Sequence, residues 1–176
     1  MQSFATESRQ WTPPEVAEML IEGVGLGELS PEAAMHIVEL LRTEHIAAGT
    51  VLMEEGTSAT GYMAVVLEGE ALVANAIEGT EEASVLGEIG PGAVYGELGI
   101  LDGKPRSATV TAVTDMDIAV LDRAGLSRLM DLSPGVACSL LSAIIMRVGE
   151  RLRATNKRVQ DLATQNIKLK EQLAIA

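Results

Sequence analysis

The sequence predicts a mainly β domain carried between helices, and three observations lead there. Between Ile46 and Leu121, short apolar runs (TVLME, YMAVVLE, EALVANAI, ASVLGEI, SATVTAV, DIAVLD) alternate with glycine-containing breaks. Strands of that length, with turns about every eight to twelve residues, belong to an all-β sandwich or barrel. On both sides of this region, a serine or threonine followed by proline marks the start of a helix. Beyond Pro134 no proline interrupts a heptad pattern that runs almost to the end.

The elements follow in order. Thr12-Pro13-Pro14-Glu15 reads as a capping box, in which the threonine hydroxyl takes an N–H and Glu15 reaches back. A helix is expected to about Glu22, where Gly23, Gly25 and Gly27 break it. Ser30-Pro31 repeats the start signal, and Ala34, Ile37, Val38 and Leu41 form one helical face to about Arg42. The strands then begin at Ile46, with Leu67-Glu68-Gly69-Glu70 as a hairpin corner. Ala124 to Asp131 makes a short helix, and Ser133-Pro134 opens one helix covering 134–175. The expected division is an N-terminal helical segment at 1–24, a β body at 25–132 and a long helix at 133–176.

In that helix Leu141, Ile145, Val148, Leu152, Thr155, Val159, Leu162, Asn166, Leu169 and Leu173 alternate spacings of four and three. Ile145, Leu152, Val159, Asn166 and Leu173 take the a positions of a coiled coil, and a lone Asn at a favours a parallel, in-register pair. The helix either packs on its own domain or joins a second copy. Its last heptads run beyond the reach of a small domain, so a homodimer is expected.

Composition narrows the function. Hydrophobic residues are 47% of the chain and aromatic residues 2%, so the core is aliphatic and rings for stacking on single-stranded nucleic acid are lacking. The net charge of -12 is uneven. Residues 147–176 hold seven Lys or Arg against three Asp or Glu, leaving six against twenty-two in the rest. Such a body repels polyphosphate backbones, so any anion it binds must be small and locally paired. The bases of the long helix lie outside the heptad seam and read as a solvated face. Cys138 has no partner for a disulfide, and no metal-ligand spacing is present. His36 and His45 read as satisfied or exposed helix histidines. No signal pattern or membrane-length apolar run occurs, so a cytoplasmic protein without membrane attachment is expected.

One stretch carries chemistry: GAVYGELGILDGKPRSATV, residues 92–110. With Gly96-Glu97-Leu98-Gly99 as the first turn of a short helix, free N–H groups and the positive end of the dipole face an anion. Gly96 permits close approach. Arg106, returning from the next strand, offers a planar fork for phosphate oxygens, and Ser107 adds a hydroxyl. Glu97 repels phosphate but accepts from a sugar hydroxyl. One anion, one sugar hydroxyl and apolar walls describe a nucleotide with a single phosphate charge. Taken alone, the stretch also fits a structural Glu97–Arg106 ion pair. No nucleophile–base pair accompanies it, so no enzyme and no cofactor are expected.

YGELGILDGKPRSATV resembles the phosphate-binding cassette of cyclic nucleotide-binding domains. LSPEAAMHIVELLRTEHIAAGTVLMEEG is similar to that family's opening helix and first strands, and GYMAVVLEGEALV to its central hairpin. The likeness covers roughly residues 25–165, and implies that the β body is a jelly-roll-like β-roll. It implies that Glu97 holds the ribose 2'-hydroxyl and that Arg106 and Ser107 hold the cyclic phosphate, assisted by the backbone of Gly96 and Leu98. Val73 and Leu86 match positions lining the base, and Tyr95 replaces a commoner Phe or Ile with little expected consequence. ERLRATNKRVQDLA, residues 150–163, resembles the dimer helix of the bacterial catabolite activator (cyclic AMP receptor) family. There a Thr-Ser pair meets the adenine from two subunits; Thr155-Asn156 stands here, and Thr155 also fits as an ordinary d residue. The helix-turn-helix domain of that family has no counterpart before Ala176. The resemblance therefore implies a dimeric, non-catalytic receptor for cyclic AMP, or cyclic GMP, that does not itself bind nucleic acid. The alternatives are a ligand-independent coiled-coil module and the sensor half of a transcription regulator.

Overall fold

The computed structural model describes residues 9–22, 29–58, 61–77, 79–80 and 83–175. The glycine breaks at 23, 25 and 27 lie outside the described residues. Helices α1 (Pro13–Glu22) and α2 (Pro31–Val38) lead into eight strands: β1 (Arg42–Ile46), β2 (Val51–Met53), β3 (Tyr62–Glu68), β4 (Ala71–Ala76), β5 (Ala83–Ile89), β6 (Val94–Tyr95), β7 (Thr109–Ala112) and β8 (Met116–Asp122). Helix α3 (Glu97–Asp102) lies between β6 and β7, and α4 (Arg123–Leu132) and α5 (Pro134–Ile175) follow β8.

The helix starts behave largely as their caps dictate. Glu15 reaches back to Thr12, accepting from its N–H at 2.8 Å and from its hydroxyl at 2.7 Å, so the hydroxyl donates instead of accepting. The Ser30 hydroxyl accepts from Ala33 N–H and the Asp122 carboxylate from Gly125 N–H. Helix α2 stops at Val38, not near Arg42. Its end tightens through Leu40 N–H to Ile37 O and Leu41 N–H to Val38 O, and Arg42 opens β1. Pairing with β8 through register Arg42 to Val120 decides this: the open edge of β8 takes backbone groups that a longer helix would have kept. His45 consequently sits on a strand, not a helix. Its Nδ1 lies 2.7 Å from buried Asp117, whose other oxygen accepts from Trp11 Nε1 at 2.9 Å. His36 remains on its helix, 3.2 Å from the Ser133 hydroxyl.

Two four-stranded antiparallel sheets form, in orders β1-β8-β3-β6 and β2-β7-β4-β5. The corner at Gly69 does not make a paired hairpin. β3 and β4 belong to different sheets, and the chain changes layer there, with Gly69 at φ 85°. A Cβ at that position would meet Asp115 O at 2.4 Å, so the corner is closed to any side chain. Alternation along the strands splits the core in two. Ala64, Val66, Tyr95, Met116, Ile118 and Val120 face the second sheet, where Met53, Ala71, Val110 and Ala112 meet them. Met63, Val65, Leu67, Ala119 and Leu121 face the other way, onto Leu20, Ile37, Leu129, Leu140 and Ile144 of the helices. β3 and β8 are thus buried on both faces, which explains their unbroken apolar runs.

Helix α5 packs by Ala137, Leu140, Ala143 and Ile144. Beyond Arg151 it leaves the body, and Leu152, Val159, Leu162, Leu169 and Leu173 are all exposed. No helix among the described residues is long and apolar enough to cross a membrane.

Candidate functional site

Short β6 ends at Tyr95, and Gly96 turns the chain into α3 with φ 76°. A side chain at Gly96 would place its Cβ 2.2 Å from Met53 Cε and 2.8 Å from Tyr62 O, so both conformation and space demand glycine. Glu97 opens the helix and is 3% exposed. After α3, Gly103 (φ 66°) caps the helix and residues 103–108 form a connecting segment. Arg106 lies in that segment and not on a strand, which begins at Thr109.

Arg106 is 7% exposed. Its Nη1 donates to Gly96 O at 3.0 Å and to Tyr62 O at 3.2 Å, and its guanidinium carbon stands 4.7 Å above the Tyr62 ring. Burial lowers its pKa from the ordinary arginine value, because desolvation disfavours the charged form. The partner of Glu97 is Arg151 of α5, which donates through Nη2, and a Glu97–Arg106 ion pair is not what holds the turn.

A cavity of about 510 Å³ opens here, within the range of small-molecule sites. Gly96, Glu97, Leu98, Arg106, Ser107, Val73 and Leu86 all line it. Thr155 and Asn156 do not: both are exposed one turn further along α5, and the Thr155 hydroxyl donates to Arg151 O at 2.8 Å. Tyr95 also lines the cavity, and its buried hydroxyl has no hydrogen-bond partner among the described residues. Burial pushes that phenol's pKa up.

Sequence reasoning missed Arg147 and Arg151. The bases of the long helix read as a solvated face, whereas these two line the cavity. Burial pulls the Arg147 pKa down, against the attraction of Glu97, which raises it. Their spacing of one helical turn was visible; their target, 54 residues before Arg151, was not. The cavity thus gathers Lys104, Arg106, Arg147 and Arg151 against Glu88, Glu97 and Asp102, a small positive site in an acidic protein. Among the described residues no group of three or more His, Cys, Asp or Glu is placed to hold a metal.

Residues 43–133 match the family model of the cyclic nucleotide-binding domain. A cyclic nucleotide-gated potassium channel of Mesorhizobium japonicum is 35% identical over 112 residues, 62% of this chain and 28% of the channel. The chain therefore spans less than a third of that relative's length. The crystal structure of a cyclic nucleotide-binding domain from Methylobacillus flagellatus superposes with a TM-score of 0.74 at 26% identity, covering 84% of this chain and 82% of that one. The regulatory domain of Toxoplasma gondii PKA, crystallised with cAMP, gives 0.59 at 28% identity over 66% of this chain and 43% of its own.

Proposed function

The chain belongs to the cyclic nucleotide-binding domain family, and on that premise we propose that it is a dimeric, non-catalytic receptor whose ligand, cyclic AMP, draws the β-roll and α5 together. The observation that carries this reading is a single cavity lined by Glu97 and Arg106 from the roll and by Arg147 and Arg151 from α5. A ligand shifts a conformational equilibrium only through contacts that differ between the states. A site built from two parts that can separate provides such a difference.

Arg106 and Ser107 bind the cyclic phosphate, with the N–H groups at the start of α3 completing the anion site. Glu97 accepts from the ribose 2'-hydroxyl. That hydroxyl competes with Arg151 for the same carboxylate, so occupancy of the sugar site is felt on α5. Val73 and Leu86 on β4 and β5 provide an apolar wall for the base. Cyclic AMP as ligand is supported by the 28% identical regulatory domain crystallised with cAMP. Cyclic GMP is the alternative, supported by a 29% identical structure from a cyclic-GMP-dependent signalling pathway. The exposed heptad seam of α5 takes a second copy, which brings Thr155 and Asn156 to the base from two subunits.

Titration calorimetry with cyclic AMP and cyclic GMP tests the reading. Arg106→Ala should weaken binding about ten- to a hundredfold, since a charge-assisted contact of this kind contributes about 1.5–3 kcal/mol. Unchanged affinity in a folded Arg106→Ala protein would remove the phosphate from this site.

A further inference from the structure

Among the described residues, Tyr62 meets the buried guanidinium of Arg106 in two ways. Tyr62 O accepts from Nη1, and the Tyr62 ring lies under the same guanidinium at 4.7 Å. The ring is itself held at its far edge, since the Tyr62 hydroxyl donates to Leu52 O at 2.7 Å. The carbonyl contact would survive any substitution at position 62; the ring face requires an aromatic side chain. The chain has four aromatic residues in all, and its core is otherwise aliphatic. A leucine at position 62 would continue the apolar run of β3 equally well. What it could not supply is a negative ring face beneath a cation removed from water.

We propose that Tyr62 is a positioning residue for the ligand site: the face of its ring holds the plane of the Arg106 guanidinium in the orientation that meets the ligand's anionic group. This rests on the reading of Arg106 as the phosphate contact. The effect follows from geometry as well as attraction. Nη1 is engaged by the carbonyls of Gly96 and Tyr62, which fix one corner of the fork. Contact with a ring then fixes the plane in which the fork can turn. A planar donor that is already oriented loses less freedom when it takes up phosphate oxygens.

The test compares ring chemistry at constant shape. Tyr62→Phe keeps the ring face, and trifluorinated phenylalanine at position 62 keeps the shape while drawing charge off the face. Affinity for cyclic AMP should stay within about twofold for Tyr62→Phe and fall roughly tenfold for the fluorinated ring. In an Arg106→Lys background the two rings should bind alike, because the planar group they orient is gone. A second readout needs no nucleotide. The Arg106 Nε–H resonance should carry a ring-current shift in the wild type and in Tyr62→Phe, and lose it in Tyr62→Leu. Equal affinities for the phenylalanine and fluorinated proteins, an equal loss in the Arg106→Lys background, or an unmoved Nε–H signal in Tyr62→Leu would overturn the proposal. If the wild type binds neither cyclic AMP nor cyclic GMP, the reading of the site fails. The Nε–H signal then decides by itself whether Tyr62 holds Arg106.

Discussion

At the scale of single residues the site turns on Glu97. A carboxylate 3% exposed would be unfavourable without a donor, and Arg151 supplies one. The sugar hydroxyl of the proposed ligand can replace that donor but cannot reproduce its charge. Glu97→Gln should therefore weaken ribose cyclic nucleotides while affecting 2'-deoxy analogues far less, as seen in paired titrations. Equal losses for both sugars would move Glu97 out of the sugar site. Cassette residues were legible in the sequence because Gly-Glu-Leu and Pro-Arg-Ser are local signals. Tyr62, Arg147 and Arg151 were not, because they reach the site from distant parts of the chain: Tyr62 meets Arg106 across 44 residues and Arg151 meets Glu97 across 54.

At the scale of elements, the start of α1 gives a pH-dependent contribution. Hydrogen bonds from the Thr12 hydroxyl and N–H, helped by Arg9, lower the Glu15 pKa from 4.5 to about 2. A carboxylate with a depressed pKa in the folded state binds protons more readily when unfolded. Its contribution is complete above about pH 4.5 and is lost as pH falls toward 2. Glu15→Gln should thus lower the thermal midpoint at neutral pH, and the gap from wild type should close as the pH approaches 2. Melting curves by circular dichroism across that range would show it, and a constant gap would mean that the capping box contributes through shape alone.

At the scale of the whole molecule, α5 has two faces along its length. Its first turns bury Ala137, Leu140, Ala143 and Ile144 against the body, whereas the heptad residues beyond Gly149 are bare. If a second copy covers them, Leu152→Asp combined with Val159→Asp puts facing charges in an apolar seam, at a cost of several kcal/mol. Sedimentation should then report a monomer, and cyclic AMP affinity should fall although the cassette is intact. A monomer that binds with full affinity would confine the site to the residues of one chain. The same helix also supplies Arg147 and Arg151 to the cavity, and Arg151 pairs there with Glu97.

The sequence by itself determined the β texture, most of the helix starts and the cassette. Each of these rests on spacing within a few residues, where sterics and hydrogen bonding act along the chain. The three-dimensional packing decided where α2 ends, because the edge of β8 competes for Arg42–Ile46. It turned the Gly69 corner from a hairpin into a change of layer, because β4 finds its partners in β5 and β7. It also separated the bases of α5 into two in the cavity and others in solvent. A heptad pattern describes the seam of a helix but carries no information about the neighbour opposite its other faces. Only the path of α5 over the β-roll placed Arg151 beside Glu97, where Coulomb attraction and burial could pair them.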